Sequence, residues 1–396
     1  MKWEFSKIGD NCEVTSSKRI FYSEYVKSGI PFYRSKEVIQ SFLGQSIDEH
    51  LYISEEKYKQ IADKFGVPEA GDMLLTSVGT IGVPYLIKES DCFYFKDGNL
   101  TWFKNFSKNL SSKYLYYWIQ SPQGKGVLFN STIGSSQKAL TISMLKGISI
   151  PLPPIGIQNR ITDILSSYDD LIENNQKQIK LLEEAAMRLY KEWFVNLRFP
   201  GHENTKIVDG LPEGWSRKKL IDIAEITMGQ SPKSEYYNDK QQGLPFHQGV
   251  TNYGYRFIID EKYSTSYTRI AEAGSILFSV RAPVGRMNIT KNKIVIGRGL
   301  AAINHREGLQ NFLFYMLKNR FYKDDLIGNG AIYASITKAA LHSQEFLIPC
   351  DNLANEFNNV AKSIDQQITN ADRQIILLQQ ARDKLLPKLM NGDIEV

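Results

Sequence analysis

The sequence predicts a mixed α/β protein with an internal repeat, in which two globular α/β blocks alternate with two long helices. The length of 396 residues exceeds the roughly 250–300 residues that a single hydrophobic core usually organises. A composition of 42% hydrophobic and 23% charged residues is typical of chains that build packed cores. Two heptad patterns recur at a fixed offset of 196 residues, which indicates one architecture used twice.

The first heptad pattern lies in residues 161–193 and predicts a long helix. Apolar residues recur at alternating steps of four and three, which is the seam of a helix that pairs along one narrow face. The seam residues are Ile161, Leu165, Tyr168, Ile172, Asn175, Ile179, Leu182 and Leu189. The polar Asn175 has two interpretations: it fixes the register of the helix pair at some cost in stability, or it is tolerated opposite Ala371 or solvent.

The second heptad pattern keeps the same register, with one charged interruption at Arg382. Its seam residues are Ile364, Ile368, Ile375, Leu378 and Leu385. The first helix begins after Pro153-Pro154, where proline presets a helix start, and the second follows Pro349. The patterns therefore predict helical segments at residues 154–198 and 350–396.

The blocks at residues 1–153 and 199–349 are also related. Short β-branched and aromatic runs between glycine, asparagine and proline turns predict strands, and apolar periodicity predicts helices at Ser112–Gln120 and Leu309–Asn319. Two segment pairs match in order and composition: Ala70–Gly82 with Ala273–Gly285, and Gly29–Arg34 with Gly243–Gln248. Each block is therefore predicted to be one α/β domain of about 150 residues.

The charge distribution separates blocks from helices. The net charge of +5 is too small to identify a partner. Residues 1–153 carry an excess of three positive charges and residues 201–349 an excess of five, whereas residues 154–200 and 350–396 are slightly acidic. Basic blocks favour an acidic ligand such as nucleic acid.

Neither a catalytic nor a metal-binding residue is predicted. The sequence lacks a glycine-rich cofactor loop followed by a methyltransferase Pro-Pro-aromatic motif, and it lacks a phosphate-binding loop. The five histidines are isolated from one another, without cysteine or carboxylate at metal-ligand spacing. Cys12, Cys92 and Cys350 are too far apart for a zinc site and are expected to be buried small residues.

The N-terminal residues lack the apolar core of a signal peptide, and no apolar run approaches the ~18 residues that a membrane span needs. We therefore expect a cytoplasmic protein without membrane contact.

Polar and basic residues in the glycine-punctuated loops suggest DNA binding. Arginine, glutamine and asparagine can pair bidentately with bases, and lysine can hold phosphates. The alternative for any one of them is a solvated loop residue. The candidates are Arg34, Lys36, Ser77, Thr80, Ser135, Ser136, Gln137 and Lys138 in the first block, and Gln230, Ser231, Lys233, His247, Gln248, Arg281, Arg286, Arg298, Tyr333 and Lys338 in the second.

These features resemble the specificity subunit of type I restriction-modification systems. The resemblance covers essentially the whole chain and depends on a Pro-Pro-x-x-x-Gln-x-x-Ile start at residues 153–161, a heptad helix and its aromatic end at residues 190–194. Three further typical segments are Pro31–Arg34, Gly229–Pro232 and Gly210–Trp215. The chain departs from the family at Ile157, which usually is glutamate, and at Pro349-Cys350-Asp351, which replaces the second Pro-Pro-Gln start.

The resemblance implies two target-recognition domains, residues 1–153 and 199–349, on antiparallel helices that act as a ruler. Each domain would read one half of a bipartite, asymmetric sequence in double-stranded DNA. A continuous helix over Gln158–Trp193 would span about 54 Å at ~1.5 Å per residue, or about 16 base pairs at ~3.4 Å each.

The resemblance also implies partners. The outer helix faces, with Arg160, Lys177, Arg188 and Glu192, would bind two modification subunits that bring S-adenosylmethionine. Two restriction subunits would bring ATP and Mg²⁺, and this chain itself would bind no cofactor. Three alternatives stay open: a methylation-only or type I-like system without a restriction subunit, a fused enzyme, and a coiled-coil scaffold that binds only protein.

Overall fold

A computed structural model of the chain describes residues 3–44, 47, 51–134, 138–321 and 335–396. The chain divides into two compact units. Unit 1 joins Met1–Glu173 with Ile376–Val396, and unit 2 is Asn174–Ile375. Each unit therefore contains one globular block and one section of each long helix.

The block of unit 1 alternates short strands and helices. Its strands are β1 (Phe5–Lys7), β2 (Glu13–Thr15), β3 (Tyr25–Val26), β4 (Ile30–Tyr33), β5 (Leu51–Ile53), β6 (Met73–Thr76), β7 (Pro84–Leu86), β8 (Tyr94–Phe95), β9 (Leu100–Lys104) and β10 (Ser149–Pro151). Its helices are α1 (Ile8–Asn11), α2 (Ser35–Phe42), α3 (Glu55–Phe65), α4 (Ser112–Gln120), α5 (Pro122–Asn130) and α6 (Ile142–Gly147). The first long helix follows as α7 (Ile155–Phe194).

The block of unit 2 has a similar order of strands, without α-helices among its described residues at the positions of α2 and α3. Its strands are β11 (Ile207–Val208), β12 (Leu211–Pro212), β13 (Ser216–Lys219), β14 (Ala224–Met228), β15 (Tyr237–Asn238), β16 (Leu244–His247), β17 (Tyr263–Ser264), β18 (Ile270–Ala271), β19 (Ile276–Ser279), β20 (Met287–Ile289), β21 (Ile294–Ile296), β22 (Leu300–His305) and β23 (Glu345–Ile348). Its helices are α8 (Leu220–Ile223), α9 (Gln310–Phe321) and α10 (Lys338–His342), and the second long helix is α11 (Asp351–Met390).

The two blocks share their sheet topology. Unit 1 has an antiparallel sheet in the order β2-β9-β6-β7 and a mixed sheet in the order β3-β5-β4-β8. Unit 2 has the equivalent sheets β14-β22-β19-β20 and β15-β17-β16-β21-β18. In each mixed sheet one pair is parallel, β4 with β8 and β16 with β21. The internal repeat predicted from the sequence is therefore a repeat of fold.

Local sequence explains the elements that hold the blocks together. All four residues of β6 and of β19 are buried, and the first three residues of each strand are apolar, so both central strands are covered on both faces. Helix α3 begins at Ser54, whose side chain accepts a hydrogen bond from the Lys57 N–H, and ends at Gly66 with a φ of 76°. Helix α5 begins with Pro122 at its first position.

In unit 1 the two long helices pack antiparallel beneath the block. Ile161 and Leu165 of α7 lie in one apolar core with Leu386 and Leu389 of α11. The charged interruption at Arg382 has a partner, because its Nη1 donates to Asp169 Oδ1 at 2.5 Å. An ion pair thus occupies a seam position that is usually apolar.

In unit 2 the helices pair through aromatic rings. Phe357 of α11 packs against Tyr190 and Trp193 of α7, with ring centroids 5.7 and 5.9 Å apart. Across both units, every predicted seam residue is at least partly buried. The buried members are Ile161, Leu165, Ile172, Asn175, Ile179, Ile368 and Ile375, and the half-buried ones are Tyr168, Leu182, Leu189, Ile364, Leu378 and Leu385.

The structure confirms the mixed α/β class and the two long helices, and it corrects one detail. Cys12 is buried and Cys350 half-buried, but Cys92 is exposed, because it follows the turn at Lys88–Asp91 between β7 and β8. The predicted domain boundaries treat each long helix as a segment of its own, whereas the division into units 1 and 2 falls inside both helices. The boundaries therefore stay a prediction. Within the described ranges, no helix is long and apolar enough to cross a membrane.

Candidate nucleic-acid interface

Three loops of unit 2 meet at one end of its sheets. They are residues 229–231 after β14, 247–249 at the end of β16 and 297–299 after β21. The Gly297 N–H donates to the His247 carbonyl oxygen at 2.8 Å. The Gly299 N–H donates to the Gln248 carbonyl oxygen at 3.0 Å. These bonds continue the parallel pairing of β16 with β21 into the loops and fix them side by side.

Glycine is required where the loops cross. A Cβ on Gly229 would lie 2.1 Å from the Gly297 carbonyl oxygen, and a Cβ on Gly299 would lie 2.4 Å from that of Gln248. Because neither approach is sterically possible, side chains at these positions would separate the loops. The backbones of the three loops therefore lie in contact, and the side chains next to these glycines lie close together.

Unit 1 contains the same loop arrangement. The Lys96 N–H donates to the Tyr33 carbonyl oxygen at 2.8 Å, as Gly297 does to His247 in unit 2. A serine hydroxyl joins the third loop in both units: Ser16 Oγ accepts from the Gly98 N–H at 3.4 Å. Ser231 Oγ accepts from the Arg298 N–H at 3.3 Å.

A turn from the antiparallel sheet completes each assembly. In unit 1 the Ser77 N–H donates to the Asn99 carbonyl oxygen at 2.8 Å, and in unit 2 the Val280 N–H donates to that of Gly299 at 2.9 Å. We call these surfaces the loop faces. They comprise residues 16–19, 33–36, 77–82 and 96–99 in unit 1, and residues 229–233, 247–249, 280–286 and 297–299 in unit 2.

Most predicted DNA-binding residues of unit 2 lie exposed on or beside its loop face. The exposed ones are Gln230, Lys233, Gln248, Arg281, Arg298 and Lys338. Arg286 is half-buried, and Ser231 donates its hydroxyl hydrogen to Gln248 Oε1 at 2.9 Å. Lys338 lies close by, because Ile336 donates its N–H to the Val280 carbonyl oxygen at 2.9 Å.

In unit 1, Lys36, Thr80 and Lys138 are exposed, whereas Arg34 is half-buried. Arg34 Nη2 lies 2.6 Å from Oε1 of Glu37, a carboxylate that is fully buried at the start of α2. This pair fixes the direction of the guanidinium, and a fixed guanidinium suits planar, bidentate recognition.

Two predicted residues are buried. Ser77 is 2% exposed and shares a 2.6 Å hydrogen bond with the Thr101 hydroxyl. His247 is also 2% exposed, and its Nε2 lies 2.8 Å from Asp260 Oδ1. The structure gives both side chains internal partners beneath the loop faces. Four predicted residues lie outside the described ranges: Ser135, Ser136, Gln137 and Tyr333.

Sequence reasoning missed three basic residues on the loop face of unit 1, Lys18, Arg19 and Lys96, all exposed. Arg19 Nε lies 2.8 Å from Asp97 Oδ2, so the first loop is held against the third. The sequence did not show that residues 96–98 correspond to residues 297–299. The shared backbone hydrogen bonds of the two units show this correspondence.

Sequence reasoning also missed how the helices hold the blocks. Gln158 of α7 is fully buried, and its Oε1 accepts from the N–H of Ser111, the residue that precedes α4. In unit 2, Asn358 Oδ1 of α11 accepts from the N–H of Asn311 at 3.1 Å and from that of Phe312 at 3.3 Å. An amide of a long helix thus satisfies free N–H groups at the start of a block helix in each unit.

The loop faces offer hydrogen-bond donors, acceptors and positive charge on rigid loops, which is what base and phosphate recognition requires. Among the side chains that the structure describes, no group of three or more His, Cys, Asp or Glu residues could hold a metal ion.

Comparisons with known proteins agree with this geometry. The family model for the type I restriction modification DNA specificity domain matches residues 1–184 and again residues 212–384. The MjaX and MjaIX specificity subunits of type I restriction enzymes from Methanocaldococcus jannaschii are 30% and 28% identical to the chain, over 403 and 423 residues. Both alignments cover 100% of this chain and 94% of the relative. The crystal structure of a type I S subunit from M. genitalium shares the fold, with a TM-score of 0.55, 16% identity, and coverage of 98% of this chain and 96% of that chain.

The family model, which matches both repeats, and the relatives define the class of this chain as a DNA-specificity protein. The chain belongs to the family of type I restriction-modification DNA specificity subunits, and both repeats of its fold carry the family's domain.

Proposed function

We propose that this chain reads a bipartite DNA target in two halves, one on the loop face of each unit. One observation carries the proposal: the two faces share backbone hydrogen bonds but differ in side chains. Gln248 and Arg298 occupy the second and third loops of unit 2, where unit 1 has Arg34 and Asp97. Equal scaffolds with unequal side chains suit two different half-sites, and hence an asymmetric target.

The long helices would set the distance between the half-sites. α7 runs without interruption over 40 residues, from the block of unit 1 to that of unit 2. α11 has the same length. A continuous helix is a stiff connector, so a fixed spacer is expected.

The same helices would bind the other subunits. Two modification subunits would supply S-adenosylmethionine and methylate an adenine in each half-site, and two restriction subunits would supply ATP-driven cleavage with Mg²⁺. Exposed Leu181 and Leu377 on the long helices, together with exposed Arg160, Lys177 and Arg188, support protein docking there. We propose that the assembled complex works in the cytoplasm, where its DNA substrate is.

Mapping of methylated adenines in DNA from cells that carry the complex tests the proposal. We expect one bipartite, non-palindromic motif with a fixed spacer. Binding of the complex to a duplex with that motif should weaken linearly in a log–log plot against salt, because lysines and arginines displace counterions.

A matched pair of variants gives the test a residue-level control. Gln248→Ala should relax one base position in one half-site. Arg217→Ala should not, because Arg217 is exposed on β13, which pairs with β23 away from the loop face. A continuous palindromic motif, or methylation without sequence preference, would refute the proposal.

A further inference from the structure

Unit 2 contains a buried arginine that joins its block to both long helices. Arg256 lies in the segment between β16 and β17 and is 1% exposed. Its Nη2 donates to Asp365 Oδ1 of α11 at 2.7 Å, and its Nη1 lies 3.4 Å from Glu183 Oε1 of α7. The guanidinium carbon also lies 3.4 Å from the ring centroid of Phe314 in α9.

The surroundings of Arg256 balance its charge. Tyr315 donates its hydroxyl hydrogen to Asp365 Oδ1 at 3.1 Å, and Lys318 Nζ lies 2.8 Å from Glu183 Oε2. Two cations thus face two carboxylates in a partly desolvated cluster. Because desolvation offsets much of the attraction in a buried ion pair, net stability does not explain this cluster, and a positioning function is the hypothesis to test.

The segment that carries Arg256 is also part of the recognition apparatus. It leaves the loop face after residue 249 and contacts it again from beneath at Asp260, the partner of His247. In between, the Arg256 carbonyl oxygen accepts a hydrogen bond from the Ile289 N–H at 2.9 Å, which ties the segment to β20. Movement of Arg256 relative to the helices would therefore be transmitted to the loop face through short, bonded connections.

Unit 1 uses a different cation at the equivalent carboxylate. Tyr117 donates to Asp169 Oδ2 at 2.6 Å, as Tyr315 does to Asp365. The arginine that pairs with Asp169, however, is Arg382 of α11. That ion pair joins helix to helix, whereas Arg256 joins block to helices.

We propose that Arg256 is a positioning residue, which fixes the orientation of the unit 2 loop face on its section of the helix pair and thereby the spacer length that the complex accepts. This inference rests on the proposed bipartite recognition. It predicts that loss of Arg256 changes tolerance to spacer length rather than the bases that are read.

The test uses the assembled methyltransferase complex and duplexes that carry the mapped motif with its natural spacer or with one base pair added or removed. Arg256→Met alone leaves Asp365 buried without its arginine, so the main variant is the charge-balanced Arg256→Met/Asp365→Asn. Arg217→Met, at an exposed position, is the control for replacement of an arginine by methionine outside the cluster. Arg256→Lys tests rescue by a cation that lacks the planar guanidinium fork.

We expect the parent complex and Arg217→Met to bind the natural spacer best. The ratio of the affinity for the natural spacer to that for an altered spacer should fall toward one in the double variant. In Arg256→Lys this ratio should lie between that of the double variant and that of the parent complex. Base substitutions in either half-site should keep their effects. Thermal unfolding of each variant separates folding from recognition.

Two outcomes are distinguishable failures. If the double variant binds every duplex more weakly by the same factor, Arg256 serves only the fold and the inference is overturned. If the parent complex itself shows no preferred spacer, the proposed ruler function fails first.

Discussion

A buried histidine and a half-buried aspartate support the loop face of unit 2 from below. His247 Nε2 lies 2.8 Å from Asp260 Oδ1, and the second carboxylate oxygen accepts from Asn292 Nδ2 at 2.6 Å. Burial favours a higher pKa for Asp260, but the hydrogen bonds from His247 and Asn292 outweigh it, so the pKa lies below its usual value. The ionised carboxylate therefore stabilises the fold.

We predict that Asp260→Asn lowers the free energy of unfolding by roughly 1 kcal/mol at pH 7. A lowered pKa contributes stability above the unfolded-state value of about 4 and loses it as the pH falls through the folded-state value. The difference from the parent chain should therefore shrink below about pH 4. Urea unfolding at pH 7 and again below about pH 4 measures the difference in the free energy of unfolding. Asp239→Asn, at an exposed position, is the control. A difference that grows in acid would contradict the assignment.

Arg281 is the exposed arginine in the turn that follows β19, next to the third loop of unit 2. If its guanidinium pairs with a base, Arg281→Ala should weaken binding of the target by roughly 1–3 kcal/mol and relax the sequence requirement at one position. Competition binding with duplexes altered at each position measures both effects. An equal loss on every duplex would reassign Arg281 to a phosphate.

At the scale of elements, each long helix contributes both a partner for the other helix and an anchor for a block. Gln158 donates from Nε2 to the Asn109 carbonyl oxygen at 2.7 Å while its Oε1 binds the start of α4. Asn358 binds the start of α9 in the same manner. Each long helix therefore binds the start of one block helix, and a block that keeps this contact can differ elsewhere.

Sequence patterns predicted these elements well. The predicted helix Ser112–Gln120 is α4, and the proline-marked start of the first long helix is its observed start at Ile155. Local signals of period and capping were sufficient there. They could not show which loops meet, because the parallel pairs β4 with β8 and β16 with β21 join residues about 50–60 positions apart.

The candidate site was predictable only in part for the same reason. The exposure of Gln248 and Arg298 could be predicted, because both are polar residues in loops that contain glycines. The burial of Ser77, His247 and Arg256 depends on long-range partners that no local pattern encodes.

The ruler can be tested by lengthening both helices together. We predict that a seven-residue insertion after Gln178 and another after Gln374 keep the heptad seam and lengthen the pair by about 10 Å. These residues line a polar cavity between the helices of unit 2, so the insertions avoid the apolar core. The spacer in the methylated motif should grow by about three base pairs, with unchanged half-sites. A single-helix insertion, which breaks the register, is the control, and an unchanged spacer would refute the ruler.

At the scale of the whole molecule, the chain repeats one fold twice, and in both repeats the net charge of the block is opposite in sign to that of the helical segment. The blocks carry the positive excess and the exposed loop faces, and the helical segments are slightly acidic. Each unit contains its own block, its own anchoring amide and its own tyrosine–aspartate bond. Recognition of each half-site should therefore depend on one unit alone.

Exchange of residues 1–153 for the corresponding block of another specificity subunit tests this independence. The incoming block must present a helix start to Gln158 and a tyrosine to Asp169, because these are two of the hydrogen bonds between α7 and its block. With both contacts kept, we expect the methylated motif to change in one half, while the other half and the spacer stay as in the parent. The reciprocal exchange of residues 199–349 is the control and should change the opposite half. A change in both halves after either exchange would mean that the two loop faces are coupled, since a block that reads DNA independently has no means to alter bases read by the other.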